Sequence, residues 1–486
     1  MLKRHLTSLS TIIVIWLLFQ SCAKDIDKPD PGSGPSDLTI LYTNDEHGWI
    51  SETSEAEGAA KLMGLWRDEE GYSENSSYII LSGGDNWTGQ AISTWFQGES
   101  TVETMNAMGY SAAAIGNHEF DFEVSGLRER VAQADFPYLS TNIRLKSDGS
   151  IPDFAQPYVI TEVNGILVGI VGLTTTSTSY TTFPTYVEDY NFVSYEGALE
   201  EWVPQVWAEG VEIVLCIAHI CHSEMRDLLS LAEELEITMI GGGHCNELVS
   251  EIRGNGRVAL IEGGWGMRHY ARLDIWYNDE DLLVTDLEAM TNGNLGGTPD
   301  PVVESIVSSW EAATDEALGE VIGYLDNLIP RYSAEMHNLV TDSWLYSYPR
   351  ADIAFTNTGG IRQSLETGDI TKGDILGVLP FNNNIMELQL TGQQVINSLE
   401  DHAVAGMTTT GGYRHADGTA LKLDSVYSVL TTDYLYVQEN NSLSTYDPNP
   451  YYTDMNYHQP TVNYILSLNT STSNPLDHYL DYTSRR

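Results

Sequence analysis

Positive charge is scarce in this chain. Its 486 residues carry 23 lysines and arginines against 69 aspartates and glutamates, a formal net charge of −46. A protein that holds a nucleic-acid backbone needs clustered Lys and Arg to replace the counterions, so that class of partner is excluded. The ordinary reading of so acidic a surface is solvation. An anionic small molecule would meet general repulsion, and phosphate chemistry would need local cations: bound metals and a few placed arginines. Cysteine is also rare, four in all, and no four-ligand spacing of a zinc knuckle is present. Long apolar runs are missing after the first twenty residues, so no later segment can span a bilayer as a helix. What remains is ordinary. The hydrophobic fraction of 42% suffices for normal cores, and the length argues for more than one domain.

The N-terminus reads as an address. Lys3-Arg4-His5 precede the apolar run Leu9 to Phe19, which is too short for an ordinary membrane span and ends in Gln20-Ser21-Cys22. This resembles a bacterial lipoprotein signal over residues 1–22, with Cys22 as the lipidated first residue; a plain secretion signal is the alternative. Residues 23–36, rich in Pro, Gly and Asp, suit a flexible tether. The expectation is an exported protein, lipid-anchored to a bacterial envelope membrane on its periplasmic or outer face. Cys216, Cys221 and Cys245 then remain, an odd number that allows one pair and one free thiol, or no pair.

The chain from Asp37 onward alternates apolar strand-like runs with helical stretches, the pattern of an α/β domain. Five of these runs end in hard-metal ligands. Leu38 to Thr43 stops at Asp45-Glu46-His47, where Asp45 and His47 can point one way if the segment stays extended. Tyr78 to Ser82 is followed by Gly83-Gly84-Asp85, whose glycines allow a sharp turn. Ala112 to Ile115 leads into Gly116-Asn117-His118-Glu119-Phe120-Asp121. Val211 to His219 ends in histidine, and Ile237 to Gly243 ends in His244-Cys245-Asn246. Any one of these alone would more often be a polar turn; five together point to one site at the strand C-terminal ends.

The ligand set reads as two metal ions held by Asp45, His47, Asn117, His219, His244 and Asn246, with Asp85 shared. Mixed His, Asp and Asn ligands suit zinc, manganese or iron better than magnesium or calcium. Two adjacent ions can hold a nucleophile for in-line attack on phosphorus and neutralise the charge that builds up. His118 would be free to donate a proton, and Asp121 could orient its imidazole. If both His219 and His244 reach this site, Cys221 and Cys245 are close enough to pair.

These motifs resemble the calcineurin-like metallophosphatases, and among them the 5′-nucleotidase and UDP-sugar hydrolase family. The resemblance implies an α/β/β/α metallophosphatase sandwich over 37–291, a linker and helix over 292–322, and a C-terminal α/β substrate-binding domain over 323–486. It makes His118 and Asp121 the catalytic pair and the seven residues above the metal ligands. Asn246 departs from the pattern, since many members carry His or Gln there. In the second half, Asn357-Thr358-Gly359-Gly360-Ile361-Arg362 resembles the substrate loop, with Asn357 and Arg362 contacting the nucleotide. Arginine suits a forked contact to an anionic oxygen. Phe381, after Pro380, would stack one face of the base, and Arg331 is a further candidate contact.

After Leu435 the resemblance fades. Where the family has a glycine-rich turn carrying a second stacking ring, this chain has Gln438 to Ser444 and then a tyrosine-rich stretch. Tyr446, Tyr451 or Tyr452 could replace that ring. The resemblance implies hydrolysis of nucleoside 5′-monophosphates outside the cytoplasm. The alternatives are the same chemistry on 2′,3′-cyclic nucleotides, UDP-sugars or other phosphate esters, and, in a different class, a non-catalytic nucleotide-binding surface lipoprotein. Intact His118 and Asp121 weigh against the last, because a binding module needs no proton donor beside its metals.

Overall fold

The computed structural model describes residues 36–486 except 74–75, 279–282, 400–401 and 439–441. The expected signal and tether lie outside the described residues.

Two six-stranded sheets face each other in the N-terminal half. The first runs, edge to edge, Leu283–Gly293, His269–Asn278, Leu38–Thr43, Tyr78–Ser82, Tyr110–Ala114 and Tyr138–Leu139. The second runs Leu248–Arg253, Val258–Gly263, Ile237–Gly241, Ile213–His219, Ile166–Thr174 and Tyr158–Val163. The alternation of side chains along each strand explains the layering. Leu38, Ile40 and Tyr42 point between the sheets and meet Ile170, Leu215, Ile217 and Ala259. Leu41, Ile80 and Ala113 point outward, under the helices Gly58–Asp68 and Glu99–Met108. On the far side Val214, Cys216 and Ala218 pack under Tyr195–Ala208 and its neighbours. With both faces covered, these strands are apolar at nearly every position. The result is the α/β/β/α sandwich that the motifs implied.

The central strands of both sheets run parallel, Leu38–Thr43 beside Tyr78–Ser82 and Ile213–His219 beside both Ile166–Thr174 and Ile237–Gly241. Their C-terminal ends therefore open on one side of the molecule. The segment expected as a linker starts inside the strand Leu283–Gly293, and its helix Pro301–Leu318 returns to the first sheet's helical layer through Val303 and Val307. Asp300 caps that helix by accepting from the amides of Val302 and Val303.

The C-terminal half has a five-stranded sheet in the order His402–Ala405, Ile353–Asn357, Val426–Thr432, Asn384–Thr391 and Tyr451–Asn456. Apolar clusters cover both faces, one around Trp344, Leu379 and Tyr457 and one around Phe355, Leu388 and Leu435.

At Gly172 the second N-terminal sheet packs directly on the backbone of the first. A Cβ there would sit 2.4 Å from the Leu139 carbonyl carbon and oxygen. Backbone on that side cannot yield as a flexible side chain would. We expect Gly172→Ala to destabilise the fold by about 1–3 kcal/mol, the usual cost of overpacking. Chemical denaturation checks this, and an unchanged midpoint would refute it.

Candidate metal centre and its two cavities

The site is built on bent backbone. Asp45, His47, Asp85, His244 and Asn246 all have left-handed φ, at 51°, 46°, 59°, 73° and 57°. Each such non-glycine residue costs roughly 1–2 kcal/mol, so the surroundings must impose the geometry. Asp45 and His47 therefore do not share a face through extended alternation, as the sequence suggests. A tight turn brings them together, and Glu46 between them is fully buried, accepting from Thr43, Ser82 and Asn86.

Hydrogen bonds fix this turn to its neighbours. The amides of Asp45, His47 and Gly48 donate to the carbonyls of Gly84, Asp85 and Asn86 at 2.9, 3.0 and 2.9 Å. The next loop is held by Glu119, whose carboxylate accepts from the amides of Asp85, Asn86 and Gly116 at 2.9, 2.7 and 2.6 Å. Burial, and after it the Asp85 charge, push Glu119 up to about 8. Gly83 is packed so closely that a Cβ would lie 2.5 Å from both the Gly242 carbonyl and the Tyr42 hydroxyl.

Donor atoms converge on Asp85. Its carboxylate takes part in two groups whose potential ligand atoms lie within 4.8 Å of one another, one with His47 and His118 and one with His219 and His244. His219 Nε2 is 2.9 Å from Asp85 Oδ2, while its Nδ1 faces the Gly83 carbonyl at 2.8 Å. His47 is arranged alike, with Nδ1 on the Thr88 carbonyl at 3.0 Å and Nε2 3.8 and 3.9 Å from Asp45 and Asp85. In each ring a carbonyl occupies one nitrogen, as in many metal-binding imidazoles; the other nitrogen faces Asp85 in His219, while His47 Nε2 accepts from Arg362 Nη2 at 2.8 Å. Asn117 Oδ1 is buried without a hydrogen-bond partner among the described residues. Asp45 Oδ2 accepts from Asn44 and from the His244 amide at 2.7 and 3.0 Å. This donor set fits divalent metal ions.

The charges in the cluster depend on one another. Burial would strip His219 of its proton, but Asp85 and Asp45 hold it up at about 10. Burial pushes Asp45 up to about 6, and burial followed by the His219 charge pushes His244 down to about 4. His118 stands at the rim. Its Nδ1 is 2.7 Å from Asp121 Oδ2, and Thr182 donates to the other Asp121 oxygen at 3.2 Å. Burial works against a proton on His118, but Asp121 and Asp85 outweigh it and raise the imidazole.

Cys221 and Cys245 form a disulfide with Cα atoms 5.1 Å apart, and Cys216 is free and buried. The bond ties the segment after His219 to the turn between His244 and Asn246.

Two cavities reach the donors. The first, of about 260 Å³, is lined by Asp45, His47, Asp85, Asn117, His118, Asp121, His244 and Asn246, and by Asn357, Arg362 and Phe381 across it. His219 lies beneath, fully buried. The Phe381 ring stacks on His118 with centroids 5.5 Å apart. The remaining aromatic lining is Phe122, Phe183, Tyr186 and Tyr434. Tyr446, Tyr451 and Tyr452 do not line this cavity. Tyr451 and Tyr452 are more than half exposed, and Arg350 stacks on Tyr451. Phe183 and Tyr186 belong to the Thr- and Tyr-rich connection from Thr174 to Tyr195, whose composition is its only sequence signal. Tyr434 lies in the last segment that keeps the family pattern.

Arg331 lines the second cavity, of about 620 Å³, together with His47, Asn246 and Arg362. Its Nε donates to the Ile361 carbonyl at 2.6 Å. Burial, and then the charge of Arg362, push its guanidinium down to about 10.

Residues 321–444 match the family described as 5′-nucleotidase, C-terminal domain. The chain is 27% identical over 445 residues to a 5′-nucleotidase of Vibrio parahaemolyticus, covering 80% of this chain and 78% of that protein. It is 28% identical to the trifunctional nucleotide phosphoesterase protein YfkN of Bacillus subtilis over 77% of this chain, which spans 28% of that longer protein. Its fold matches the 5′-nucleotidase precursor of Thermus thermophilus with a TM-score of 0.77 at 21% identity, covering 92% of this chain and 98% of that one. The chain is thus similar to 5′-nucleotidases over most of its length, and its fold is that of a solved 5′-nucleotidase precursor.

Denatured without reductant, the chain should show two fewer titratable thiols than after reduction, because Cys221 and Cys245 are paired. Equal counts would remove the bond.

Proposed function

We propose that the chain is an exported phosphoesterase that uses two divalent metal ions to hydrolyse nucleoside 5′-monophosphates to nucleoside and phosphate. One observation carries this reading: His47, His219 and His244 turn toward Asp85 at the floor of a cavity whose wall holds the His118–Asp121 pair. Asp45, His47, Asp85, Asn117, His219, His244 and Asn246 would hold zinc, manganese or iron. When bound, the ions supply the positive charge and the acidified water that attack on phosphorus needs. In this reading residues 37–291 carry the metals and residues 323–486 the nucleoside.

His118 acts on the leaving group. Its Nδ1 is engaged by Asp121, which fixes the tautomer and leaves Nε2 to deliver a proton to the departing ribose oxygen. Asn357 and Arg362 approach the phosphate from the other half of the chain, and the base lies against Phe381, with Tyr434 and Tyr186 as further apolar walls. The disulfide supports export, since such bonds persist in oxidising compartments. Among the described residues no helix is long and apolar enough to cross a membrane. The lipid anchor at Cys22 rests on the sequence alone.

The test is phosphate release by the purified chain from a panel of 5′-nucleotides, 2′,3′-cyclic nucleotides and UDP-glucose, with manganese or zinc, and with a chelator as control. Chelator-sensitive release from the monophosphates is the expected result. Release from another class alone would overturn the substrate, and no release with any metal would overturn the enzyme. His118→Ala should lower turnover by about 10²–10⁴-fold, the range for a general acid, with nucleotide binding kept. A variant that matched the parent would remove His118 from the mechanism.

A pH profile tests the pair. His118 must be protonated to act, so turnover is kept below its pKa and lost as pH rises through it. Asp121 is the largest influence holding that pKa up. Asp121→Asn should therefore move the alkaline limb of the kcat profile to lower pH; a limb that stays in place would assign the titration to another group.

A further inference from the structure

The second cavity is where this acidic chain gathers positive charge. Arg268, Arg331 and Arg362 line it, and Glu55 is the one carboxylate in its lining. Among the described residues, neither Arg331 nor Arg362 is ion-paired to a carboxylate, and Arg268 has only Glu55 at the long distance of 3.9 Å. Arg268 is held instead by stacking over Trp265, its guanidinium carbon 4.9 Å from the ring. Trp49 packs edge-on behind that indole at 5.1 Å. Arg362 donates to His47 Nε2 at 2.8 Å and Arg331 to the Ile361 carbonyl, so both are held in place with further N–H groups to offer. Guanidinium groups fixed without carboxylate partners form an anion site with donors already oriented.

The two cavities meet at the metal centre. Both are lined by His47, Asn246 and Arg362, but His118, Asp121 and Phe381 line only the first. A nucleoside leaving group must lie on the side of the proton donor, in the first cavity. The second cavity faces the same centre without the His118–Asp121 pair; of the rings that line it, Trp49, Trp265 and Tyr332, the Trp265 indole is covered by Arg268, which is one-third exposed. One product of the reaction suits it: a small, doubly charged oxyanion.

We propose that the Arg268–Arg331 cavity is a second phosphate site, which receives orthophosphate from the metal centre and passes it to solvent while the nucleoside leaves through the first cavity. This rests on the phosphate-releasing function proposed above. The released anion exchanges its contacts at the centre for Arg362, then Arg331, then Arg268, and no bond is made or broken. Glu55 opposes it, since its carboxylate competes for Arg268 and repels phosphate.

Binding of radiolabelled orthophosphate to the full, metal-loaded chain by equilibrium dialysis tests the site without any nucleotide. Two phosphates per chain are expected. Arg268→Met should weaken one of them roughly tenfold, the loss expected for one charge-assisted contact. Arg268→Lys should keep most of the affinity, and Glu55→Gln should tighten binding. The Arg268-dependent phosphate should survive chelation of the metals, because its contacts are guanidinium groups. A single phosphate per chain, or binding that ignores both Arg268 and Glu55, overturns the site. The route is read separately, as single-turnover against steady-state rates on a 5′-nucleotide. Arg268→Met should slow steady-state turnover and leave the single-turnover rate and kcat/KM unchanged. A single-turnover rate that falls equally overturns the route. A chain that binds the second phosphate but hydrolyses no nucleotide would overturn the function and not the site.

Discussion

The floor of the site depends on one buried carboxylate that is not a ligand. Glu119 accepts three backbone amides at once, from Asp85, Asn86 and Gly116. Two of these amides belong to the loop after Tyr78–Ser82 and one to the loop after Tyr110–Ala114, so the contact joins neighbouring strand ends. From it the arrangement spreads outward. Asp85 is held with its side chain toward the imidazoles, its Oδ1 accepts from the His118 amide at 2.8 Å, and the paired carbonyls of Gly84, Asp85 and Asn86 grip the turn that carries Asp45 and His47. Left-handed backbone at five ligand positions is tolerable only because so many groups fix it at once.

This explains what could be read from the residues and what could not. The clustering of the candidate ligands was legible because each follows an apolar run and because parallel strands deliver their C-terminal ends to one side. The α/β character followed from apolar runs alternating with helical stretches, and the sandwich was implied by the family resemblance. The backbone at Asp45 and His47 was not legible, because a left-handed turn held by a neighbouring loop leaves no periodic trace. Glu46 and Glu119 were hidden for a related reason. They sit among ligands and resemble spare acidic residues, yet their partners are Ser82, Asn86 and Gly116, which lie elsewhere in the chain or on its backbone. The aromatic lining was missed where it comes from an irregular connection, at Phe183 and Tyr186. Tyr451 and Tyr452 fit the pattern of a lost ring but face solvent, since composition does not say which way a late strand turns.

Charge is distributed with the same economy. The chain as a whole carries a net charge of −46, while the arginines at 268, 331 and 362 lie along one cavity. Burying such groups without carboxylate partners costs solvation, and the Arg331 guanidinium shows it in a pKa depressed by burial and by Arg362. An anion that enters this cavity relieves that cost, whereas the rest of the surface repels it.

The Cys221–Cys245 bond gives the centre the character of a chelate. The two residues are 24 apart in sequence, so the bond closes a modest covalent ring and stabilises the fold by about 3 kcal/mol on chain-entropy grounds. The ring carries His219 just before its start and His244 just inside its end, with Asn246 immediately beyond. Two of the arms that would hold an ion are thus already gathered by a covalent link before any ion arrives. Much of the entropy of assembling them is spent during oxidative folding and need not be spent again at each binding event. Any hold on metal ions at this centre would to that extent be written into maturation, and a chain folded under reducing conditions would be a poorer chelator with the same sequence.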